Sequence, residues 1–372
     1  WIKSDILKEN YSKYRVIIPD WHWDNIDKYS KDSIKHLQTY EKFIVKLAEV
    51  MNEIHDLNWR LKSWKILVGP WLNRYLAVLL DRSETIKTIF NSYDLKSCNI
   101  KDLPITDLQF KDFEEFSDGY KKEHFNILIY SHILRKLDKE KKIIFKELKF
   151  KKINTLINKT NENISSKKIF KESIIKTYNF LFSFFLKKNI YYFQNIYLKN
   201  RYEYIKLNLK LKNFPHFRIV NLKVEDETKF DKNLRDKFLE KVSKKFNVDE
   251  KNLFNELFVE LIYTMFPRCY LENFKINDKK AQNSFKSINS KIIIDGNSYH
   301  KDEIFKFWLA RKTQNNAKII LLQHGGYYEN FKIKGEFLDH ELDISDKYLS
   351  WGWKKESFNI TPTPCNLSFD KK

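Results

Sequence analysis

A strand–helix–strand pattern toward the carboxyl end limits the folds open to this chain. Residues 291–295 form a short apolar run, residues 302–312 carry apolar side chains at helical spacing, and residues 318–322 form a second apolar run rich in β-branched side chains. Because short joins connect them, these segments predict a parallel βαβ unit. A further strand is expected at 347–351. We therefore expect an α/β fold with a Rossmann-like parallel sheet.

The first 150 residues are predicted to be a mainly helical region. Apolar residues at three- and four-residue steps indicate a helix over 31–56. A second helix is expected to open at Gly69-Pro70, since proline suits the first position of a helix. Residues 121–150 are expected to continue as lysine-rich helix.

A polar stretch over 151–175 is the expected linker, and residues 176–353 are expected to form the Rossmann-like domain. Within that domain, 189–194 predicts a strand and 231–265 predicts two helices. The chain begins with Trp1 rather than Met, so we expect a fragment, with 354–372 as the start of a truncated carboxyl-terminal segment.

The chain is strongly basic, with 69 Lys and Arg against 49 Asp and Glu and a formal net charge of +20. Such a charge suits nucleic acid, an anionic membrane surface or phosphorylated substrates. Lysine is also spread along the whole chain, so an ordinary solvated surface explains the charge as well. No RNP-like pattern accompanies the aromatic residues, and no specific nucleic-acid partner is predicted.

Cysteine usage and apolar runs bear on the compartment. Cys98, Cys269 and Cys365 lie far apart, without the close pairs of a structural zinc site, which suits a reducing cytoplasm. The longest apolar runs, such as 180–186, are far shorter than the roughly 20 residues that cross a bilayer. We expect a cytoplasmic protein, and the basic surface leaves peripheral contact with the inner membrane face open.

Two loops leave the carboxyl ends of the predicted strands. Five of the seven glycines lie within 296–352, and two of them follow the strand 318–322 directly. The loops are 296–300 and 323–326. In an open parallel sheet, ligands bind outside the carboxyl ends of the strands. A right-handed crossover lets both loops lie on one edge.

His324 is the candidate catalytic residue, because imidazole titrates near neutral pH and can act as a general base or a phosphate partner. Gly325 and Gly326 are expected to turn backbone N–H groups toward an anion. Asn297 and Ser298 offer neutral hydrogen bonds to a hydroxyl-rich ligand. A tight turn, with His324 packed or solvated, explains the same residues equally well.

Carboxylates precede the next predicted strand. Glu341 or Asp346 is an alternative base, or orients His324, whereas capping and surface charge are the commoner roles of such residues. Asp339-His340-Glu341 contains suitable metal ligands, but neighbours in sequence rarely converge on one ion. No metal site is therefore predicted.

A second cluster contains Gly69, Trp71, Arg74, Asp81 and Arg82. Arg74 and Asp81 are two turns apart on one helix face. They are placed to meet a ligand across a cleft, although a helix cap and a surface ion pair account for them equally well.

These motifs resemble a transferase family encoded in bacterial O-antigen and surface-polysaccharide gene clusters. The matching segments, in order, are WHWD (21–24), ILVGPWL (66–72), DR (81–82), QHGGY (323–327), HE (340–341) and the stretch 344–353. They extend along nearly the whole chain. That family is similar to capsule-polysaccharide glycosyltransferases with a GT-B layout, in which two Rossmann-like domains face each other across a cleft.

The resemblance implies a metal-independent glycosyltransferase without a cofactor. It would move a sugar from a nucleotide-activated donor to a glycan or lipid-linked acceptor of the O-antigen or capsule. His324 would be central, with Gln323, Tyr327 and His340 shaping the pocket beside the residues named above. Most of a second Rossmann-like domain would lie beyond the end of this chain.

Two other functions remain open. A polyol-phosphate transferase of the teichoic-acid type has a similar layout and also places a histidine before a glycine at a strand end. A basic polyanion-binding module without catalysis would explain the charge, but it leaves the His324 loop unexplained.

Overall fold

Two long helices form the amino-terminal part of the fold. A computed structural model describes residues 17, 19–100, 108–140, 142–147, 166–198, 200–217, 222–246, 252–326 and 338–364. Helix α1 (Ile26–His55) begins at Asn25, whose side chain accepts the Lys28 N–H, and packs against α2 (Leu61–Ser92). The predicted helix over 31–56 is therefore confirmed.

The start of α2 corrects one prediction. The helix begins at Leu61, so Pro70 lies inside it instead of opening it. Internal proline costs about 3 kcal/mol, because it removes a backbone hydrogen bond. Trp64, Leu67 and Trp71 are fully buried on this stretch of the helix, so tertiary packing offsets that cost.

The next segment contains two helices and a pair of strands. These are β1 (Ser97–Ile100), α3 (Phe113–Gly119), α4 (Glu123–Leu137) and β2 (Ile144–Glu147), and β1 pairs with β2 in parallel. The lysine-rich helix predicted over 121–150 therefore ends early.

Asp138 explains where α4 ends. Its carboxylate accepts the backbone N–H groups of Lys142 and Ile143, at 3.0 and 3.1 Å. Such a turn competes with helical hydrogen bonding.

The predicted linker is partly helical. Residues 151–165 lie outside the described part of the chain, whereas α5 (Ser166–Leu181) and α6 (Ser183–Leu186) follow at once. Strand β3 (Tyr191–Gln194) confirms the strand predicted at 189–194, and α7 (Arg201–Lys210) comes next.

Three further helices precede the next strand. They are α8 (Lys232–Lys245), α9 (Leu253–Met265) and α10 (Phe274–Ser284), and the first two confirm the pair predicted over 231–265. Buried Arg235 of α8 forms a two-pronged ion pair with buried Glu272, with N–O distances of 2.6 and 2.8 Å. This pair holds α8 to the turn before α10.

The carboxyl-terminal part confirms the predicted βαβ unit. Its elements are β4 (Ile292–Asp295), α11 (Ser298–Lys301), α12 (Glu303–Gln314), β5 (Lys318–Leu322), α13 (Leu338–Ile344), β6 (Lys347–Trp351) and β7 (Ile360–Thr363). Asp302 caps α12 by accepting the Phe305 N–H at 3.0 Å.

All five strands from β3 to β7 are parallel and lie in chain order. The α/β class is therefore confirmed, and the sheet is consistent with a Rossmann-like fold. Strand β7 was not foreseen from the sequence. The strand order does not reverse within the described sheet, so these strands contain no topological switch point.

Helices α1 and α2 share one hydrophobic core with the five-stranded sheet. Helix α2 packs against α12, and the Ser63 hydroxyl donates to the Ala310 carbonyl at 2.7 Å. Buried apolar side chains from both regions belong to a single cluster. This packing brings α2 into contact with α13, and α1 contacts α13 through Tyr40.

Candidate functional site

The loops after β4 and β5 leave the same edge of the sheet. Asp295 pairs with Leu321 across the two strands, so 296–298 and 323–326 emerge side by side. The buried Asp295 carboxylate accepts the N–H groups of Ser298 and Tyr299, at 3.2 and 2.8 Å. Asp295, which the sequence analysis did not single out, therefore fixes the first loop.

The first loop also touches the segment after β3. Asn297 accepts a hydrogen bond from the Asn195 side chain. A Cβ at Gly296 would lie 2.5 Å from the Asn195 carbonyl oxygen and 2.9 Å from the Tyr197 ring, so only glycine fits there. Burial, with the nearby charges of Asp295 and Glu341, raises the pKa of Tyr197 to about 12.

Gln323 holds the second loop in shape. Its carboxamide oxygen accepts the Trp351 backbone N–H at 2.7 Å and the Trp353 indole N–H at 2.8 Å. Its amide nitrogen donates to the Gly325 carbonyl at 2.7 Å. These contacts make Gln323 a positioning residue, in place of the pocket-lining role expected from the sequence.

His324 and Glu341 face each other at this edge. His324 Nδ1 lies 4.0 Å from Glu341 Oε1, and the two side chains are 27% and 2% exposed. The Tyr348 hydroxyl donates to the other Glu341 oxygen at 2.9 Å, and this hydrogen bond fixes the position of the carboxylate. The histidine is the part of the pair that a ligand can reach.

Two effects keep His324 neutral near pH 7. Burial lowers the pKa of His324, and the positive charge of Lys301 lowers it further. A neutral imidazole has the lone pair that a general base needs. The sequence analysis did not identify Lys301, which lies at the end of α11.

His340 has a different environment from His324. It is 2% exposed, its Nδ1 lies 3.1 Å from the Tyr40 hydroxyl, and burial lowers its pKa to about 3. Among the described residues its Nε2 has no hydrogen-bond partner. His340 is therefore a neutral residue at the contact between α13 and α1, beneath the His324–Glu341 pair.

Gly69 allows α2 to approach that contact. A Cβ there would lie 2.6 Å from the Tyr40 hydroxyl and 2.7 Å from His340 Cε1. Glycine inside a helix costs about 1 kcal/mol relative to alanine. The close approach explains why glycine occupies a helical position.

The Gly69→Ala variant is therefore expected to lose about 1–3 kcal/mol of unfolding free energy, because the packed Tyr40 and His340 rings must shift. Chemical denaturation measures this. The control is Gly326→Ala, since an added Cβ there meets no atom of the described residues within 4 Å. Equal stability of the two variants would contradict the close contact.

A buried polar cluster lies next to the site. The Tyr270 hydroxyl contacts both Glu303 oxygens, at 2.8 and 2.9 Å, and Lys306 Nζ lies 2.9 Å from Glu303 and from Tyr270. Burial raises the pKa of Glu303 to about 7. Burial lowers the pKa of His300 to about 3, with a further contribution from the Lys306 charge. In sequence, Glu303 and Lys306 resemble a solvated helix pair, so the cluster was missed.

Two other predicted residues lie apart from the His324–Glu341 pair. Trp71 is fully buried and stacks on Tyr75 with ring centroids 4.8 Å apart, so it belongs to the core. Asp346 precedes β6 at the amino edge of the sheet, where it binds Lys62 at 2.8 Å and the Ile319 N–H at 2.9 Å. That position is at the wrong end of the strands for a base beside His324.

The remaining predicted residues are placed as follows. Ser298 is buried in the Asp295 turn, and Arg74 lies on α2 above the Tyr120 ring, 5.6 Å from its centroid. Gly326 is exposed. Tyr327 lies outside the described residues.

The described part of the chain offers neither a cluster of metal ligands nor a membrane-spanning helix. It contains no group of three His, Cys, Asp or Glu side chains arranged to hold a metal ion. None of its helices combines the length and the apolar character needed to cross a bilayer.

Comparison with known proteins identifies the family. The model of the LIC12162 family transferases matches residues 1–371, which is nearly the whole chain. No curated protein and no solved structure matches the chain significantly. The chain therefore belongs to the LIC12162 family of transferases.

Proposed function

We propose that the protein transfers a sugar from a nucleotide-activated donor to a hydroxyl group of a surface-polysaccharide acceptor, such as an O-antigen or capsule glycan. The observation that carries this proposal is the His324–Glu341 pair at the carboxyl edge of the parallel sheet. A reachable neutral imidazole beside a buried carboxylate suits removal of a proton from a hydroxyl.

The proposed reaction has one proton transfer and one displacement. Neutral His324 takes the proton as the acceptor oxygen attacks the anomeric carbon, and the bond from that carbon to the phosphate oxygen breaks. Glu341 stabilises the imidazolium that forms. The 4.0 Å separation leaves the pair to close when substrate binds, as happens in many unliganded sites.

The departing nucleotide takes the electron pair of the broken bond as negative charge on phosphate. The charge of Lys301 acts on His324, and we propose that the same charge stabilises that phosphate. The backbone N–H groups of the glycine loop would add to it. We propose that these groups serve without a metal ion, and that the enzyme acts at the cytoplasmic face of the membrane.

The test of this function is donor binding and turnover. CMP-, UDP- and GDP-sugars are screened by thermal shift, and the donor that binds is expected to raise the unfolding temperature, with or without EDTA. Incubation with acceptor glycan should then release its nucleotide. No stabilisation by any donor and no release would refute the proposal.

Lys301→Ala is expected to weaken the binding of that donor about tenfold, since one charge-assisted contact to phosphate is lost. The control is Lys244→Ala, a lysine on the exposed face of α8.

The nucleotide released discriminates the alternative: a nucleoside diphosphate excludes a polyol-phosphate donor, whereas a monophosphate fits either a CMP-sugar or a CDP-polyol.

A further inference from the structure

An aromatic pocket lies outside the residues assigned to the transfer step. Its volume is about 260 Å³, and its described walls include Trp21, Trp23, Tyr29, Arg74 and Tyr120. The amino-terminal segment, α1 and α2 all contribute to it. The WHWD and DR segments meet in this pocket, although about 60 residues separate them in the chain.

The two indole rings are held in fixed orientations. Trp21 Nε1 donates to Asp81 and Trp23 Nε1 donates to Asp32, both at 2.9 Å, and the two rings meet edge to face with centroids 5.5 Å apart. Trp21 nevertheless remains 49% exposed. Because the polar edges are satisfied by protein, the rings offer their apolar faces to a ligand.

The charges in the walls balance. Asp32 and Asp81 are the lining carboxylates, and Arg74 and Arg82 are the lining guanidinium groups. A phosphate site would carry an excess of positive charge. Equal numbers of positive and negative charges beside flat apolar rings suit a neutral ring with many hydroxyl groups.

The pocket connects to the candidate site along α2. Arg74 lines the pocket, and its charge also contributes to the lowered pKa of His300. Ala77 lines the pocket eight residues beyond Gly69, so the two are about 12 Å apart along the helix axis. Gly69 contacts His340, which directly precedes Glu341 in the chain.

We infer that this pocket binds a neutral sugar residue of the acceptor glycan, remote from the hydroxyl that receives the new sugar. The inference rests on the proposed function, since it supplies the acceptor for that reaction. It explains why the WHWD and DR segments meet beside α1 and α2, away from the loops of the sheet.

The test uses the whole chain and the oligosaccharide released from the producing organism's own surface polysaccharide. Calorimetry without donor is expected to detect binding, and Trp21→Ala is expected to weaken it at least about tenfold. Trp21→Phe should restore part of the affinity, because the apolar face returns. The control is Phe180→Ala, an aromatic residue on α5 that is 79% exposed and outside the pocket.

Two results would overturn the inference: unchanged affinity in Trp21→Ala with an unchanged unfolding temperature, or Trp21-dependent binding of a nucleotide in place of the oligosaccharide. The outcomes also separate it from the proposed function. If sugar transfer is detected and the KM for the acceptor is the same in Trp21→Ala as in the wild type, the pocket inference alone is rejected. Trp21-dependent oligosaccharide binding without turnover of any donor rejects the proposed function alone.

Discussion

Replacing His324 by alanine is expected to lower kcat by about 10²–10⁴-fold, because a positioned general base contributes that much to proton transfer. Donor binding should change little, since the proposed phosphate contacts come from Lys301 and the backbone. The measurement is nucleotide release with acceptor at saturation, together with the thermal shift given by the donor. A large loss of kcat with an unchanged thermal shift identifies a role in the chemical step.

Two further variants sharpen the result. Glu341→Gln keeps an oxygen for the Tyr348 hydroxyl but removes the charge that stabilises the imidazolium, so kcat should fall there as well. His132 and Glu260 form a comparable pair on the surface, 3.0 Å apart, and His132→Ala should retain full activity. Full activity in His324→Ala would remove His324 from the mechanism.

Acid is expected to unfold this protein steeply. Burial lowers the pKa of His55 and His216 to about 4 and that of His300 and His340 to about 3. Histidine in the unfolded chain has a pKa of 6.5. Below that pH the unfolded chain binds four protons that the folded chain does not bind, so the free energy of unfolding decreases as the pH falls. Glu303 acts oppositely, because its raised pKa lets the folded chain hold one extra proton between 4.5 and about 7.

The net difference between pH 4.5 and 6 is 4 − 1 = 3 protons, which corresponds to about 4 kcal/mol per pH unit from these groups. A domain with a typical stability of about 5–15 kcal/mol would then lose a large part of that stability between pH 6 and 4.5. Urea denaturation at successive pH values measures the slope.

A single substitution tests the origin of that slope. His55 Nε2 binds the Tyr270 carbonyl at 2.9 Å, and glutamine can donate the same hydrogen bond without titrating. His55→Gln is expected to reduce the slope by about 1.4 kcal/mol per pH unit. An unchanged slope in His55→Gln would contradict the assignment.

The predictable part of the fold was local. Short apolar runs and their spacing were enough to predict β4, α12, β5 and β6, since each element is encoded in its own residues. Pro70 was predicted to open its helix because the preference of proline for the first helical position is a local rule. The burial of a whole helix surface depends instead on partners hundreds of residues away. The early end of α4 depended on one side chain, Asp138, that binds its own backbone.

The candidate site was predictable to the same degree. His324 was singled out because it follows β5 at the carboxyl edge of the sheet, whereas Glu341 was one of two carboxylates before β6 between which the sequence did not decide. The Glu303 cluster has no local signature, since its partner Tyr270 lies 33 residues away in the chain, whereas the turn at Asp295 is local and was overlooked. Asp346 has the same residue type as a catalytic base but lies at the opposite edge of the sheet.

The contact of Gly69 with Tyr40 and His340 has a consequence for sequence divergence. Three positions from separate parts of the chain share one volume, and none of them can grow alone. A relative that carries a side chain at the position of Gly69 must have a smaller residue at that of Tyr40 or His340. Substitutions at these positions should therefore occur together in relatives, so the glycine of the ILVGPWL segment and the histidine before Glu341 are expected to covary.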